Sequence, residues 1–395
     1  MILTMLMFVS CEARQLWERA PEDGKLEGKV VQVHVVHGSG HAEPPACYPG
    51  DPHARAAVWK HGPGELTQHG RRQGFHFGEN LRSRYLNLLP KERTYKYVKA
   101  TSAKTTRYQM TSSVILAGLL SPKGDDIWST VPWQPAVVNT DDILAKPKCD
   151  RLEQLQKELK YEIDSEQLYY YVSVNAKTSV KDPKEMLEIF TCLETQKQAG
   201  LALPAWTRGF FYQMKREAAK TFRYDNEVSR LEVGRILDTI TKFNFSDKDN
   251  RINLYCTDSV TVGALMAALK LNQTESPNFL SAFVVEIREL EGWLHAQLWY
   301  RSGPNDELAR MDWPDCGARC PLVKLRALLD PLIPKNWQKE CALDQHKNNS
   351  ANIMHLTLFL LTFLFVYVAT ASCNRIYEFM NDMKTRNKRS KKTLV

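Results

Sequence analysis

The sequence predicts an α/β body with an inserted block of helices, followed by one membrane-spanning helix. Three observations carry that prediction. A β-branched run, KVVQVHVV over Lys29–Val36, stops at His37-Gly38, a strand-to-loop exit of the kind found at the carboxyl edge of a parallel sheet. Between Asp150 and Ala218 the chain is rich in Lys, Glu, Leu and Tyr at helical spacing and has few strand signals. From Ile353 to Cys373, 21 residues contain no acidic or basic side chain except His355.

Taken in order, Met1–Ser10 is a short apolar run without a basic start, a weak signal by itself, and residues 1–12 are read as a signal segment. The strand at Lys29 opens the body, and Gly64–Tyr85 and Arg107–Leu120 have helical patterns. The inserted helices, roughly 150–235, cover one end of the sheet. Ile252–Cys256 is a second strand leading into Thr257-Asp258 and then into a helix, SVTVGALMAALKL. Asp258 is well placed to cap that helix. Ala282–Glu289 and His295–Tyr300, separated by a Glu-Gly turn, form a hairpin. The body occupies 27–341 and residues 342–352 are a linker.

The apolar stretch 353–373 is long enough as a helix to cross a bilayer core of ~30 Å. The tail 374–395 carries Arg375, Lys384, Arg386, Lys388, Arg389, Lys391 and Lys392 against Glu378 and Asp382, so it supplies +5 of the formal net charge of +8. The body is therefore close to neutral, and composition gives no support to a nucleic-acid groove. Basic residues stay on the cytoplasmic side, which predicts a single-pass type I protein whose body is lumenal or extracellular. Three glycosylation triplets, at Asn244, Asn272 and Asn348, precede the membrane helix. Nine cysteines fit an oxidising compartment, and their odd number leaves at least one without an intramolecular partner. Tyr377-Glu-Phe-Met380 resembles tyrosine-based sorting signals, and the expected location is a lysosomal or endosomal membrane or the cell surface.

Several stretches together carry a resemblance: GELTQHG from Gly64 with LRSRY ending at Tyr85, WQPAVVNT from Trp133, LWYRSG from Leu298, PDCGARCPL from Pro314, and DPLIPKNWQKEC ending at Cys341. The chain resembles the lysosomal and prostatic branch of the histidine acid phosphatases over roughly Gly28 to Cys341. The resemblance implies a phosphoglycerate-mutase-like α/β sheet, covered on both faces, with an α-helical cap and the active site between them. It implies disulfides Cys149–Cys341 and Cys316–Cys320. The family partner of Cys192 would lie near Ala282, where no cysteine stands, so Cys192 is the expected free thiol. The resemblance also leaves room for a homodimer, and no cofactor is expected.

In this family a histidine ending the first strand attacks phosphorus, arginines and a second histidine hold the phosphate oxygens, and an acid protonates the leaving alcohol. The resemblance assigns the nucleophile to His37 and the proton donor to Asp258. The family motif RHGxRxP reads VHGSGHA here, with Val36 and Gly40 at the arginine positions, and no Arg or Lys occurs between Val30 and Ala54. The RSTDVDR-like stretch reads KATSAKTTR. Arg107 fits its second arginine, while the first falls on Thr101, or on Lys99 if two residues are inserted. Thr257 replaces the histidine of the His-Asp pair. One arginine acting on a transferring phosphoryl group can contribute ~10³ to 10⁵ in rate, so these losses outweigh a retained nucleophile.

The expectation is a membrane-anchored, catalytically degenerate member that acts as a binding or interaction ectodomain. The alternative is a working acid phosphomonoesterase with an altered clamp that uses Lys99, Arg107 or other cations. Its ligand would be a phosphomonoester or another lumenal molecule. His34, His37 and His41 lie close in sequence, but strand alternation puts His34 and His37 on opposite faces, and no metal is expected.

Overall fold

Lys29–His37 (β1) forms the middle of the sheet because its valines serve both faces of the strand. In the computed structural model the described residues are 28–392, apart from 45–46, 55–58, 91–93, 121–143, 145–147, 223–224, 244–250, 272–275 and 344. The strands Val98–Ser102 (β2), Ile252–Cys256 (β3), Ala282–Leu290 (β4), Trp293–Arg301 (β5), Ala309–Met311 (β6) and Cys320–Pro321 (β7) join β1 in the order β2-β3-β1-β4-β5-β6, with β7 on β5. β1, β2 and β3 run parallel, and β4 returns antiparallel against β1. The β4–β5 hairpin turns at Glu291 and Gly292, both at positive φ (52° and 79°), the geometry a two-residue type I′ turn requires.

One face of the sheet carries Val33, Val35, Leu254 and Val284, which pack with Phe77, Leu81, Ile115 and Leu119 from helices Gln68–Tyr85 (α1) and Thr106–Leu119 (α2). The other carries Val36, Tyr255, Phe283 and Val285, grouped with residues of later helices such as Ile236, Leu265 and Leu325. Both faces are thus covered, as expected.

The inserted helices are Asp150–Glu158 (α3), Glu166–Ala176 (α4), Pro183–Gln198 (α5), Phe211–Ala219 (α6) and Asn226–Ile240 (α7). Local capping starts them: Ser165, Asp182 and Asp225 each accept a backbone N–H of the first turn. Leu168, Val172, Met186, Phe190, Leu193 and Met214 give the cap its own apolar core. After β3 come Ser259–Ala268 (α8), Leu322–Leu329 (α9) and Trp337–Cys341 (α10).

Among the described residues there are three disulfides. Two are the links the resemblance implies, Cys149–Cys341 and Cys316–Cys320. The third corrects the expectation of a free Cys192, which is bonded to Cys47, with Cα atoms 5.7 Å apart. Cys47 lies on the loop after β1, far from the family position near Ala282, and only the fold brings that loop to α5. Among the described residues the free cysteines are Cys256, buried, and Cys373, exposed.

The chain divides into two units, one up to Cys341 and one over Ala342–Val395. The second contains a helix, Gln345–Lys392 (α11). Within it Thr357–Asn381 is long and apolar enough to cross a membrane. Most of the expected linker 342–352 is therefore helical, because a stretch without Pro or Gly can propagate the turn of the apolar helix that follows. Asn348 lies in this helix, whereas residues 1–12, the WQPAVVNT stretch, Asn244 and Asn272 fall outside the described residues.

Candidate functional site

The parallel strands end together, and their last residues form a row in register. Ser102 pairs with Cys256, Cys256 with His37, His37 with Ala282, and Ala282 with Arg301. Paired residues share a face, so all five side chains lie on the α1–α2 side of the sheet. His37 and Arg301 are therefore two strands apart on one face, with only the small Ala282 between them.

His37 is completely buried. Its Nδ1–H donates to the Gly38 carbonyl at 2.9 Å, which leaves the lone pair on Nε2, and Nε2 has no partner among the described residues. Burial pushes the imidazole down to about pKa 4; the Gly38 carbonyl opposes this, and the Arg301 charge adds to it. The ring meets the edge of Phe77 at 6.0 Å between centroids.

Arg301, which the residue pattern alone did not single out, is only 4% exposed. It lies over Phe77 at 4.5 Å, donates from Nε to Gly303 O at 2.7 Å and from Nη2 to Pro304 O, and has no partner for Nη1 among the described residues. Burial lowers its pKa to about 10 against the attraction of Asp306. The clue available in sequence was its place at the end of the LWYRSG strand, whose hairpin pairing sets its level.

Val36 and Gly40, where the resemblance would expect arginines, are packed into other contacts. Val36 is fully buried in the apolar cluster on the opposite face, in register with Tyr255 and Phe283. At Gly40 an added Cβ would stand 2.6 Å from the Gly70 carbonyl oxygen, and one at Gly70 would stand 2.2 Å from His41 O. The loop after β1 thus lies backbone to backbone on the start of α1, held by Leu280 N–H to Ser39 O and Thr67 N–H to His41 O. Only glycine permits this approach.

Thr101 is buried on β2, while Lys99, two residues earlier, is exposed and sits level with Asn253 and His34, on the face away from His37. Lys99 is thus not brought to the site. Arg107 is. It stands at the start of α2, donates from Nη2 to the Tyr108 hydroxyl at 2.6 Å, lies 4.7 Å from that ring, and has a buried Nε without a partner among the described residues. Burial and then the Asp258 charge raise the Tyr108 phenol, and Arg107 opposes them, so these three groups lie within electrostatic reach of one another.

Asp258 caps α8, its Oδ1 accepting from Thr261 N–H at 2.6 Å and Thr261 Oγ1 at 2.8 Å. Thr257 donates its N–H to His37 O at 2.9 Å and its hydroxyl to Thr261 Oγ1 at 3.3 Å. A cleft of about 920 Å³ runs between cap and body, bordered by Tyr48, Arg107, Thr191, Thr195, Thr257 and Phe279. The His37 ring does not form part of its wall.

The one group of metal-type donors among the described residues, Cys47, Asp51 and Cys192, has both sulfurs in a disulfide and so offers no thiolate. Chemically, the site holds a nucleophile-type imidazole nitrogen, a carboxylate at the start of α8 and two arginines that come from different elements.

Comparison with known proteins places this architecture. Residues 18–191 match the model of the histidine phosphatase superfamily (branch 2). Prostatic acid phosphatase of Bos taurus is 27% identical over 353 residues, 82% of this chain and 91% of that protein. Lysosomal acid phosphatase of Homo sapiens is 28% identical over 368 residues, 85% and 87% of the two chains. Among solved structures, the phytase from Citrobacter braakii superposes with a TM-score of 0.56 at 15% identity, covering 80% of this chain and 100% of that one. Hafnia alvei phytase, without ligand, gives 0.54 at 15% identity over 81% and 100%. At that identity the two phytases speak for the fold alone.

Proposed function

We propose that this chain, a homologue of prostatic and lysosomal acid phosphatases within the histidine phosphatase superfamily (branch 2), is a membrane-anchored member that has lost its phosphate clamp and acts as a ligand-binding ectodomain. The observation that carries this reading is at Gly40, where the Gly70 backbone stands 2.6 Å from any Cβ. The space an arginine stem needs is taken by main chain. Val36, absorbed into the apolar cluster, supports the same reading from the other face of β1.

Phosphoryl transfer depends mainly on positioning and charge stabilisation, so a buried neutral imidazole with Asp258 nearby makes a poor catalyst for ordinary phosphomonoesters. Thr357–Asn381 is the anchor in this reading, with the basic tail cytoplasmic and the body in a lysosomal or endosomal lumen or outside the cell.

The test is turnover of a generic aryl phosphate at acidic pH by the full chain in detergent. The expected result is no turnover that His37→Ala removes. A kcat of ~10 s⁻¹, typical of enzymes and abolished by that substitution, overturns the reading.

One observation favours a second reading, in which the chain is a working acid phosphomonoesterase with an altered clamp. His37 keeps the posture of a nucleophile, with Nδ1 anchored on Gly38 O and Nε2 unoccupied. Arg107 and Arg301 would then supply the positive charge, and the same assay on Arg107→Gln and Arg301→Gln identifies them by loss of turnover.

A further inference from the structure

Seven of the ten histidines fall between His34 and His76. Phosphate chemistry accounts for His37 alone. His41 occupies the seam between cap and body, where it is 1% exposed. Its Nε2–H donates to the Thr195 carbonyl on α5 at 2.9 Å, and its Nδ1 lies 2.8 Å from the Thr67 hydroxyl at the start of α1. A carbonyl only accepts, so Nε2 carries the proton and the neutral ring takes the Thr67 O–H at Nδ1. Thr67 Oγ1 also accepts the Gly70 N–H at 3.0 Å. A second proton on the ring would turn Nδ1 into a donor and send the Thr67 hydroxyl proton to His41 O, 3.0 Å away. Among the described residues no hydrogen-bond partner of His41 brings a negative charge to meet that proton.

The rest of the seat is made by rings. The ring packs against Phe279 at 5.2 Å, Trp59 at 6.4 Å and His69 of α1 at 5.7 Å. The titratable groups acting on it are His69 and Glu43, while α5 contributes the Thr195 carbonyl. Glu43 is already engaged by the N–H groups of Lys60, His61 and Gly62 and by His61 Nδ1.

We infer that His41 is an acid-sensitive latch between the cap and the body, whose protonation loosens the hold of the loop after β1 on the end of α5. Burial holds its pKa below the ordinary value; the Thr195 carbonyl opposes this, the neighbouring His69 adds to the lowering, and Glu43 offsets part of it. A histidine depressed in this way stabilises the closed state above its ordinary pKa and withdraws that support as acid charges it. The same stretch of α5 is tied by Gln196 to Asp51, by Gln198 to Asn278 and by the Cys47–Cys192 bridge. Loosening is therefore local, at the cleft wall around Thr195, while the cap stays tethered. The latch goes beyond the proposed function by naming a trigger, acid, for ligand exchange, and it holds whether or not the cleft turns over phosphate.

The reporter is built in, because the Ala199 amide donates to the same Thr195 carbonyl and the Leu201 amide to Gln196 O. Hydrogen exchange of these amides is measured on the full chain in detergent from pH 7.5 to 4.5, corrected for the intrinsic pH dependence of exchange. Protection should fall by about tenfold per pH unit below the onset, the slope for one proton. His41→Gln, which can still donate to Thr195 O, should flatten the dependence. His69→Gln removes a like charge and should move the onset to higher pH, a response that a purely structural role for His41 does not produce. Constant wild-type protection, an equal fall in His41→Gln, or, if that variant does not fold, no upward shift of the onset in His69→Gln overturns the latch.

Discussion

His37 and Arg301 stand at one level of the sheet, on the same face and against the same Phe77 ring, each with one buried nitrogen that has no partner among the described residues. Two buried polar atoms without a protein partner on one face of the sheet are costly, and such a cost marks a candidate site. The pair also gives the site its electrostatics, because Arg301 is one of the causes that hold His37 down to about pKa 4.

The first prediction follows from that coupling. Arg301→Gln should raise the His37 pKa, since burial remains while the repelling charge is gone. NMR titration of the imidazole reads this directly. A pKa that stays put or falls would show that the guanidinium charge does not reach the ring.

A second prediction concerns acid stability. Burial pushes His34 down to about pKa 3 and His37 to about 4, so both are neutral when folded and bind protons near pH 6.5 when unfolded. The stability they contribute is full above about pH 6.5 and is lost as pH falls through 4 and then 3. Each can steepen the loss by up to ~1.4 kcal/mol per pH unit. Urea unfolding between pH 7 and 4.5 should show a slope for His34→Gln that is shallower than wild type by about that amount. Equal slopes would mean that His34 gains an acidic partner on folding or is not buried.

Much of the body was legible because its signals are local. The valines of β1, the Glu291-Gly292 turn and the Asp258 cap each declare themselves within a few residues. What was missed depends on distant partners. β2 reads VKATS, too short and too polar to announce a strand, and it exists because β3 pairs with it. Arg301 reaches the site only through the register of the β4–β5 hairpin. Gly40 reads in sequence as an absent arginine, whereas in the fold it is a required glycine under the α1 backbone. Cys192 reads in sequence as a free thiol because no cysteine stands near Ala282, whereas the fold pairs it with Cys47, 145 residues away.

That correction gives a third prediction. Non-reducing peptide mapping should recover Cys47–Cys192, Cys149–Cys341 and Cys316–Cys320. On the chain-entropy account, closing a 145-residue separation is worth up to ~5 kcal/mol and a 4-residue one about 2, so Cys47→Ser with Cys192→Ser should lower stability more than Cys316→Ser with Cys320→Ser. The reverse order would show that the cap-to-loop bridge is strained or is absent in solution.

The last prediction tests whether the proposed loss of the clamp rests on substitution alone or on closure of the space around it. If substitution were all, putting an arginine back at Gly40 would restore an anion site. The backbone argues otherwise, since even a methyl group there meets Gly70 O at 2.6 Å, with the Gly70 C and Cα at 3.1 Å, and a carbonyl on a helix start has no side-chain freedom with which to yield. Gly40→Ala should therefore cost about 1 to 3 kcal/mol, the range for overpacking a filled interior, measured by urea or thermal unfolding. Gly38→Ala is the control, because its Cβ would lie 3.5 Å from Ser259, an ordinary contact, and should cost less. Gly40→Arg should unfold the loop or the protein without creating affinity for vanadate or tungstate. Val36→Arg should do the same from the other face, as an unpaired charge buried in an apolar cluster costs several kcal/mol. If Gly40→Ala proves no more costly than Gly38→Ala, and Gly40→Arg folds and binds oxyanion, then the loop is free to retreat from α1 and the site is a vacant clamp, not a closed one.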